Sequence, residues 1–293
     1  MSFLDWLKDK TKIILFDGGM GSELIKRGLP PNTIPDLFNI EQPQLITEIH
    51  SEYYKAGSDM CQTCTFGANF LNLKNHKIED RIEEINKRAL ENIKKACPPD
   101  RLIVGDLGPT GTFKPPIGKA TIADWQNAYL KQVKILENGV DLWHVETISD
   151  IDEMVAALNA IKEISSKPII ASITYKMTKR GFFTIMGDSL EKCINVLEEN
   201  KVNVIGANCT LGSSEMVELA KEMVNLTSLP VSIKPNAGKP KLDSERKVIY
   251  EQTIEEFVRD IEKIIELGAK IVGGCCGTTP KTIAAIKKIL NKN

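Results

Sequence analysis

The sequence predicts an α/β protein, a (β/α)₈ TIM barrel that occupies residues 1–293 as a single domain. Eight short apolar segments, rich in β-branched residues, alternate with eight longer segments of helical periodicity along the 293 residues. No linker, composition shift or internal repeat divides the chain. This strict alternation is what a closed barrel of parallel strands and outer helices requires.

The predicted strands lie at 13–17, 59–62, 102–106, 142–146, 169–173, 204–208, 231–235 and 271–274. Helical periodicity predicts helices at 44–56, 79–96, 123–138, 151–164, 189–200, 213–225, 254–267 and 280–290. Helix-terminating glycines precede several strands, among them Gly57, Gly139 and Gly268. A doubly wound open sheet would give the same alternation. Its Gly-x-Gly-x-x-Gly signature is absent, however, because the chain reads DGGMGSEL after the first strand.

Charge and composition exclude several classes of partner. The 38 basic and 39 acidic residues nearly cancel, so no electrostatic attraction to nucleic acid or to a membrane is expected. No apolar run reaches the roughly 18 residues of a membrane span, and the start MSFLDWLKDKTK lacks the order of a secretory signal. We therefore expect a cytoplasmic protein whose partners are small molecules or other proteins. The formation of homo-oligomers is compatible with this composition. Seven dispersed cysteines also argue against a disulfide scaffold.

Polar residues cluster where the predicted strands end, and barrel active sites are built at that end. Three cysteines fall there: Cys209 after the sixth strand, and Cys275 and Cys276 after the eighth. Three thiolates that leave a fourth position open are typical of a catalytic zinc site. Neighbouring strand residues point to opposite faces, so the adjacent pair reaches one ion only if the chain turns. The flanking glycines permit a turn: Gly273, Gly274 and Gly277. A vicinal disulfide and idle buried thiols remain alternatives.

The ordered motifs LFDGGMGSEL, TFGAN, GDLGPTG, VETISD, GANCT, KPNAG and GGCCGTTP resemble the homocysteine S-methyltransferase family, including the homocysteine-binding module of cobalamin-dependent methionine synthase. The resemblance covers nearly the whole chain. It implies a barrel in which Cys209, Cys275 and Cys276 hold Zn²⁺ and, through zinc activation of the thiol, act as the catalytic residues. The expected enzyme is an S-methyltransferase of the EC 2.1.1 class. It would methylate a zinc-bound thiolate, homocysteine, to give methionine.

The same resemblance implies how an amino-acid thiol is held. Glu146 and Asp17 would bind its ammonium group, and backbone amides that lead into a helix would take its carboxylate. The substrate-binding residues expected on this basis are Asp17, Gly18, Gly19, Met20, Gly21, Ser22, Glu146 and Asn208. Several assignments have structural alternatives. Asp17 could equally cap the helix, Asn208 and Asn236 could orient the cysteines, and Asp106 could position the substrate or only hold a loop.

Two departures from the family pattern leave the thiol open. The family commonly reads ETNTFGAN where this chain has QTCTFGAN, so Gln62 and Cys64 replace an acidic residue and an asparagine. His144 is expected to be a core residue.

The methyl donor is not fixed by the sequence. No folate, cobalamin or activation module is recognised beside the barrel, so the donor is expected to be methylcobalamin on a separate corrinoid protein, or a folate on a partner protein. S-methylmethionine, S-adenosylmethionine or a betaine are alternatives, as is a non-catalytic subunit that binds a thiol or a corrinoid. A lyase with Lys234 as its Schiff-base residue is a further alternative.

Overall fold

The computed structural model describes residues 2–30, 33–242 and 248–291 and confirms the barrel. Its eight parallel strands, called first to eighth below, are Ile14–Leu15, Met60–Gln62, Leu102–Leu107, Leu142–Ile148, Ile169–Ile173, Val204–Gly212, Val231–Asn236 and Ile271–Val272. Consecutive strands pair from the second to the eighth, and the eighth pairs with the first. All eight predicted strands are therefore present in one sheet.

Helices follow the strands within a few residues of the predicted bounds: Pro43–Lys55, Ile82–Ala96, Ile122–Leu136, Ile151–Ile164, Leu190–Glu199, Ser213–Leu226, Ile254–Glu266 and Pro280–Leu290. Shorter helices at Phe3–Lys8, Met20–Lys26, Phe38–Glu41 and Phe70–Asn75 are not predicted, because so few residues show no clear periodicity. Antiparallel hairpins join Lys176–Thr178 to Gly181–Phe183 and Lys241–Leu242 to Val248–Ile249. In the described part of the chain, no helix has the length and apolarity to cross a membrane.

The amino-terminal half of the barrel interior is apolar. Its inward side chains form one cluster that the first helix closes with Phe3 and Trp6: Ile14, Phe16, Met60, Val104, Leu142, Ile170, Val204 and Ile271. Burial of such side chains contributes about 1.5–3 kcal/mol each to stability. Because this end is packed shut, polar groups inside the barrel can reach a ligand only from the carboxyl ends of the strands.

Side chains complete the seam between the first and second strands. Asp59 N donates to Leu15 O at 2.7 Å, and the Asp59 carboxylate accepts Leu15 N at 2.9 Å. Beyond it, Gln62 N donates to Asp17 Oδ2 at 2.9 Å. Two aspartates thus provide much of the closure at this seam, whereas the other pairs of neighbouring strands are joined by main-chain hydrogen bonds.

Replacement of Asp59 by alanine is expected to lower the free energy of unfolding by about 3 kcal/mol. The buried carboxylate also binds Arg101 at 2.8 Å and Lys12 at 3.2 Å, and all these partners would lose their acceptor together. Urea unfolding measures the loss. Asp100→Ala is the matched control, because Asp100 contacts the same arginine at 3.7 Å from an exposed position. An equal effect of both variants would contradict a role for Asp59 in the seam.

Candidate functional site

Three cysteine sulfurs converge at the open end of the barrel. Cys209 Sγ lies 4.0 Å from Cys276 Sγ, and the sulfurs of Cys209, Cys275 and Cys276 all lie within 4.8 Å of one another. Sulfurs bound to one tetrahedral zinc at about 2.3 Å would lie roughly 3.8 Å apart. The three thiols therefore fit a zinc ion with small adjustments, and their partial exposure leaves a side open for a fourth ligand.

A tight turn brings the adjacent cysteines to the same side. Thr278 N donates to Cys275 O at 3.2 Å, and Gly277 has φ +81°, a conformation that favours glycine. The other two glycines provide space for close packing and do not form the turn. A Cβ on Gly274 would lie 2.3 Å from Thr278 Oγ1, and one on Gly273 would lie 2.9 Å from the backbone after the first strand.

Cys209 joins them through an unusual backbone conformation. The sixth strand shifts register between Asn208 and Gly212, and both Cys209 and Thr210 are left-handed, with φ of +58° and +56°. Left-handed non-glycine residues cost free energy, and they concentrate at functional sites. Asn208 points into the barrel, so an extended Cys209 would point away from it. The left-handed backbone turns its sulfur toward the other two instead.

Hydrogen bonds among the thiols set their protonation. The thiols of Cys275 and Cys276 lower the pKa of Cys209, whose sulfur in turn raises the pKa values of Cys275 and Cys276. Since zinc binds thiolates, metal binding at these cysteines would release the protons of their thiols.

The side chains of Asn208 and Asn236 contact the cysteine segment. Asn208 Nδ2 lies 3.8 Å from Cys275 Sγ, and Asn236 Oδ1 accepts Cys276 N at 3.1 Å. Tyr250 lies beside Cys276. Burial raises the pKa of the Tyr250 hydroxyl, and Cys276 raises it further. No sequence motif marks Tyr250, because it lies in the connection between the strand Val248–Ile249 and the helix that begins at Ile254.

The glycine segment after the first strand packs onto the cysteine turn. Gly19 N donates to Thr278 Oγ1 at 3.1 Å, and a Cβ on Gly19 would lie 2.7 Å from Cys275 O. Ser22 Oγ links Gly19 O and Gly277 N, each at 3.1 Å. The helix begins at Met20 with Gly19 as its N-cap, so Asp17 does not cap it.

The two predicted ammonium ligands lie together below the cysteines. Glu146 accepts Gln62 Nε2 at 2.9 Å and Asn208 Nδ2 at 3.0 Å. Asp17 accepts Lys234 Nζ at 3.1 Å and Gln62 N at 2.9 Å. Burial raises the pKa values of both carboxyl groups, against the lowering effect of Lys234.

Gln62 is the centre of this polar network. Its Oε1 accepts Lys234 Nζ at 2.9 Å and lies 3.1 Å from His144 Nδ1, while its Nε2 donates to Glu146 and, at 3.3 Å, to Asp106. One neutral amide thus faces a cation with its oxygen and two carboxyl groups with its nitrogen. The sequence marks Gln62 only as a departure from the family pattern.

Other predicted residues fall outside the sulfur cluster. His144 is buried with Nε2 2.8 Å from Ser172 Oγ, which agrees with the expectation of a core residue. Cys64 is buried with its sulfur 3.9 Å from Pro35 O and does not join the three sulfurs.

Comparison with known proteins gives the same assignment as the motifs. The chain is 29% identical to the methionine synthases of Mycobacterium tuberculosis and Mycobacterium leprae, over 94% of its own length and 24% of theirs. It therefore spans about a quarter of those relatives. The metallated Escherichia coli homocysteine methyltransferase MmuM shares its fold with a TM-score of 0.81 at 24% identity, over 98% of this chain and 99% of that one.

The family match extends over nearly the entire barrel. The profile described as homocysteine S-methyltransferase matches residues 14–290, which run from the first strand to the last helix and include the three cysteines. By this match the chain belongs to the homocysteine S-methyltransferase family.

Proposed function

We propose that this chain is a zinc-dependent S-methyltransferase that methylates a thiol, with homocysteine as the first candidate and methionine as its product. The convergence of three cysteine sulfurs within 4.8 Å at the open end of the barrel carries this proposal. The proposal includes a reducing cytoplasm, where three free thiols persist.

The site suits the activation of a weakly acidic nucleophile. A free alkyl thiol has a pKa near about 8.5, so most of it is protonated at neutral pH and is a poor nucleophile. A zinc ion held by Cys209, Cys275 and Cys276 would keep the incoming thiol deprotonated. In the transfer, the substrate sulfur forms a bond to the methyl carbon, and the bond from that carbon to the donor breaks. The donor retains the electron pair.

The surroundings suit an amino-acid substrate. The resemblance implies that the substrate ammonium group binds near Glu146 and Asp17, and these buried acids contact Gln62 and Lys234. The amides of Met20 and Gly21 belong to the first turn of their helix, where N–H groups have no acceptor within the helix, and the resemblance implies that they take the substrate carboxylate. Gly18 packs closely against the cysteine turn, because a Cβ there would lie 2.6 Å from Thr278 Oγ1.

The donor is proposed to be methylcobalamin on a separate corrinoid protein, or a folate on a partner protein. Exposed apolar side chains lie on the connections that follow the second, third and fifth strands: Phe66, Phe113, Ile117, Met177 and Ile185. Exposed apolar surface is typical of regions that meet another protein. Small sulfonium or betaine donors are the second candidate.

A donor panel tests the function directly. Zinc-loaded protein is incubated with homocysteine and, in turn, S-methylmethionine, S-adenosylmethionine, a betaine, free methylcobalamin and a methylated corrinoid protein, and methionine is measured by mass spectrometry. Methionine formed with at least one donor, and lost on zinc removal, is the expected result. Turnover with a small donor alone would exclude a subunit that only binds a thiol or a corrinoid.

The lyase alternative has little support. Lys234 is buried and donates to Asp17 and Gln62, and although burial lowers its pKa, Asp17 and Glu146 raise it overall. A lysine held as an ammonium ion cannot attack a carbonyl to form a Schiff base.

A further inference from the structure

The connection after the fifth strand carries a hairpin that barrel closure does not require. Residues 174–189 lead to the helix that begins at Leu190, and within them Lys176–Thr178 pairs with Gly181–Phe183. Connections of about 2–6 residues are usual in α/β units, and much longer ones are often functional. Residues 174–187, called the basic hairpin below, therefore need a role other than joining a strand to a helix.

The basic hairpin has a defined conformation. Thr178 Oγ1 donates to Gly181 O at 2.8 Å and accepts Arg180 N at 3.1 Å, and Gly181 has the left-handed φ of +104° that the turn requires. Phe182 is 4% exposed and packs into the main apolar core. The tip of the hairpin is thus held by its own hydrogen bonds, and one of its strands is anchored to the barrel.

The base of the hairpin lies beside the cysteine cluster. Thr210, which directly follows Cys209, donates from Oγ1 to Tyr175 O at 2.9 Å. Thr174 N donates to Ile148 O at 2.9 Å, at the carboxyl end of the fourth strand. Both contacts are at the open end of the barrel. A molecule that binds the hairpin would therefore lie next to the proposed metal site.

The hairpin concentrates positive charge in a chain whose net charge is −1. It has no acidic residue, and its three cations are exposed: Lys176, Lys179 and Arg180. None of the three forms an ion pair with another described residue. The cations before and after the hairpin do form pairs, Lys167 with Glu137 and Lys192 with Asp188. The hairpin charges are thus available to attract a negatively charged partner.

Exposed apolar side chains accompany these charges. Met177 is 45% exposed and Ile185 is 62% exposed, and the Arg180 guanidinium lies 5.5 Å from the ring centre of Phe183. Arginine, methionine and aromatic residues are enriched at protein interfaces. A small free anion would leave Met177 and Ile185 in water, whereas a protein surface would cover them. The combination favours a protein partner with acidic residues around an apolar area.

We propose that the basic hairpin docks the protein that carries the methyl donor, through an acidic surface of that protein. This inference rests on the proposed function. The hairpin recognises the partner by charge and holds it over the open end of the barrel. Its cations act on the association of the two proteins and not on the chemistry at the substrate sulfur.

The test measures KM for a methylated corrinoid protein on the zinc-loaded protein. The charge-reversal variant Lys176→Glu, Lys179→Glu, Arg180→Glu is expected to raise this KM by roughly 10- to 100-fold at low salt. The KM for homocysteine and turnover with free methylcobalamin should not change, because neither requires docking. In the wild-type protein, the KM for the corrinoid protein should rise several-fold between about 50 and 200 mM salt, since salt screens exposed charges.

A second triple variant is the matched control. Lys134→Glu, Lys221→Glu, Lys288→Glu makes the same change in net charge at exposed positions on three outer helices. It should keep the wild-type KM for the corrinoid protein. An equal rise in both triple variants would show that only the net charge matters and would overturn the inference.

The remaining outcomes separate this inference from the proposed function. The inference also fails if the hairpin variant has the wild-type KM, or if the wild-type KM does not depend on salt. Methionine formed from a small donor but not from the corrinoid protein would overturn the inference and leave the methyltransferase function standing. If no donor in the panel gives methionine, both proposals fail.

Discussion

Replacement of Cys276 by alanine is expected to reduce bound zinc from about one ion per chain to near zero and to abolish methyl transfer. The sulfur of Cys276 lies 4.0 Å from Cys209 Sγ, and the turn at Gly277 places it toward the other two. Two remaining thiols cannot complete the site, because no further cysteine joins the cluster within the described residues. Metal content of the purified protein, measured by mass spectrometry, tests this directly.

Cys97→Ala is the matched control for that variant. Cys97 is a half-buried free thiol at the end of helix Ile82–Ala96 and lies outside the sulfur cluster. It should retain both zinc and activity. Full zinc occupancy in the Cys276 variant, or equal loss in the Cys97 variant, would refute the assignment of the three ligands.

Replacement of Lys234 by methionine is expected to lower the free energy of unfolding by about 3–5 kcal/mol at neutral pH. Methionine fills similar volume, but the Asp17 carboxylate and Gln62 Oε1 lose their buried cation. The loss should grow as pH rises. Burial raises the pKa of Asp17 and Lys234 lowers it, so without Lys234 the pKa rises further and the folded variant keeps a proton that the unfolded chain releases.

Two further variants isolate the cause of that loss. Lys239→Met removes an exposed partner of Glu215 at 3.0 Å and should change stability by about 1 kcal/mol or less. The double variant Lys234→Met with Asp17→Asn removes both charges and should recover part of the stability lost by the single variant. Urea unfolding at pH 5 and pH 8 measures all of them. A single variant as stable as the double would show that Asp17 and Lys234 do not act as a pair.

The fold could be predicted because each strand is a compact apolar run and each long helix is amphipathic. Strand 169–173 and helices 151–164 and 280–290 have the predicted bounds. The sixth strand runs further than predicted, to Gly212, because left-handed residues at Cys209 and Thr210 interrupt its pairing without ending it. No local sequence pattern announces two such residues in succession.

The site could be predicted in part. Cysteines at strand ends, and the family motifs, identify the proposed metal ligands before any coordinates are known. The polar network around Gln62 could not be predicted in this way, because it depends on which inward side chains of the second, third, fourth and seventh strands meet across the barrel. That requires the register and the rotamers of Gln62, Asp106 and Lys234, and these residues are separated by up to 172 positions.

The seam between the first and second strands links the mechanics of the barrel to its recognition of ligands. The main-chain N–H of Gln62 donates to Asp17 across the seam, and the side-chain amide of Gln62 donates to Glu146. Local separation of these strands therefore also breaks the hydrogen bonds of Lys234 to Asp17 and Gln62. Binding and local unfolding are linked equilibria. A ligand that binds the side chains of this network must therefore also raise the free energy of local strand separation at this edge.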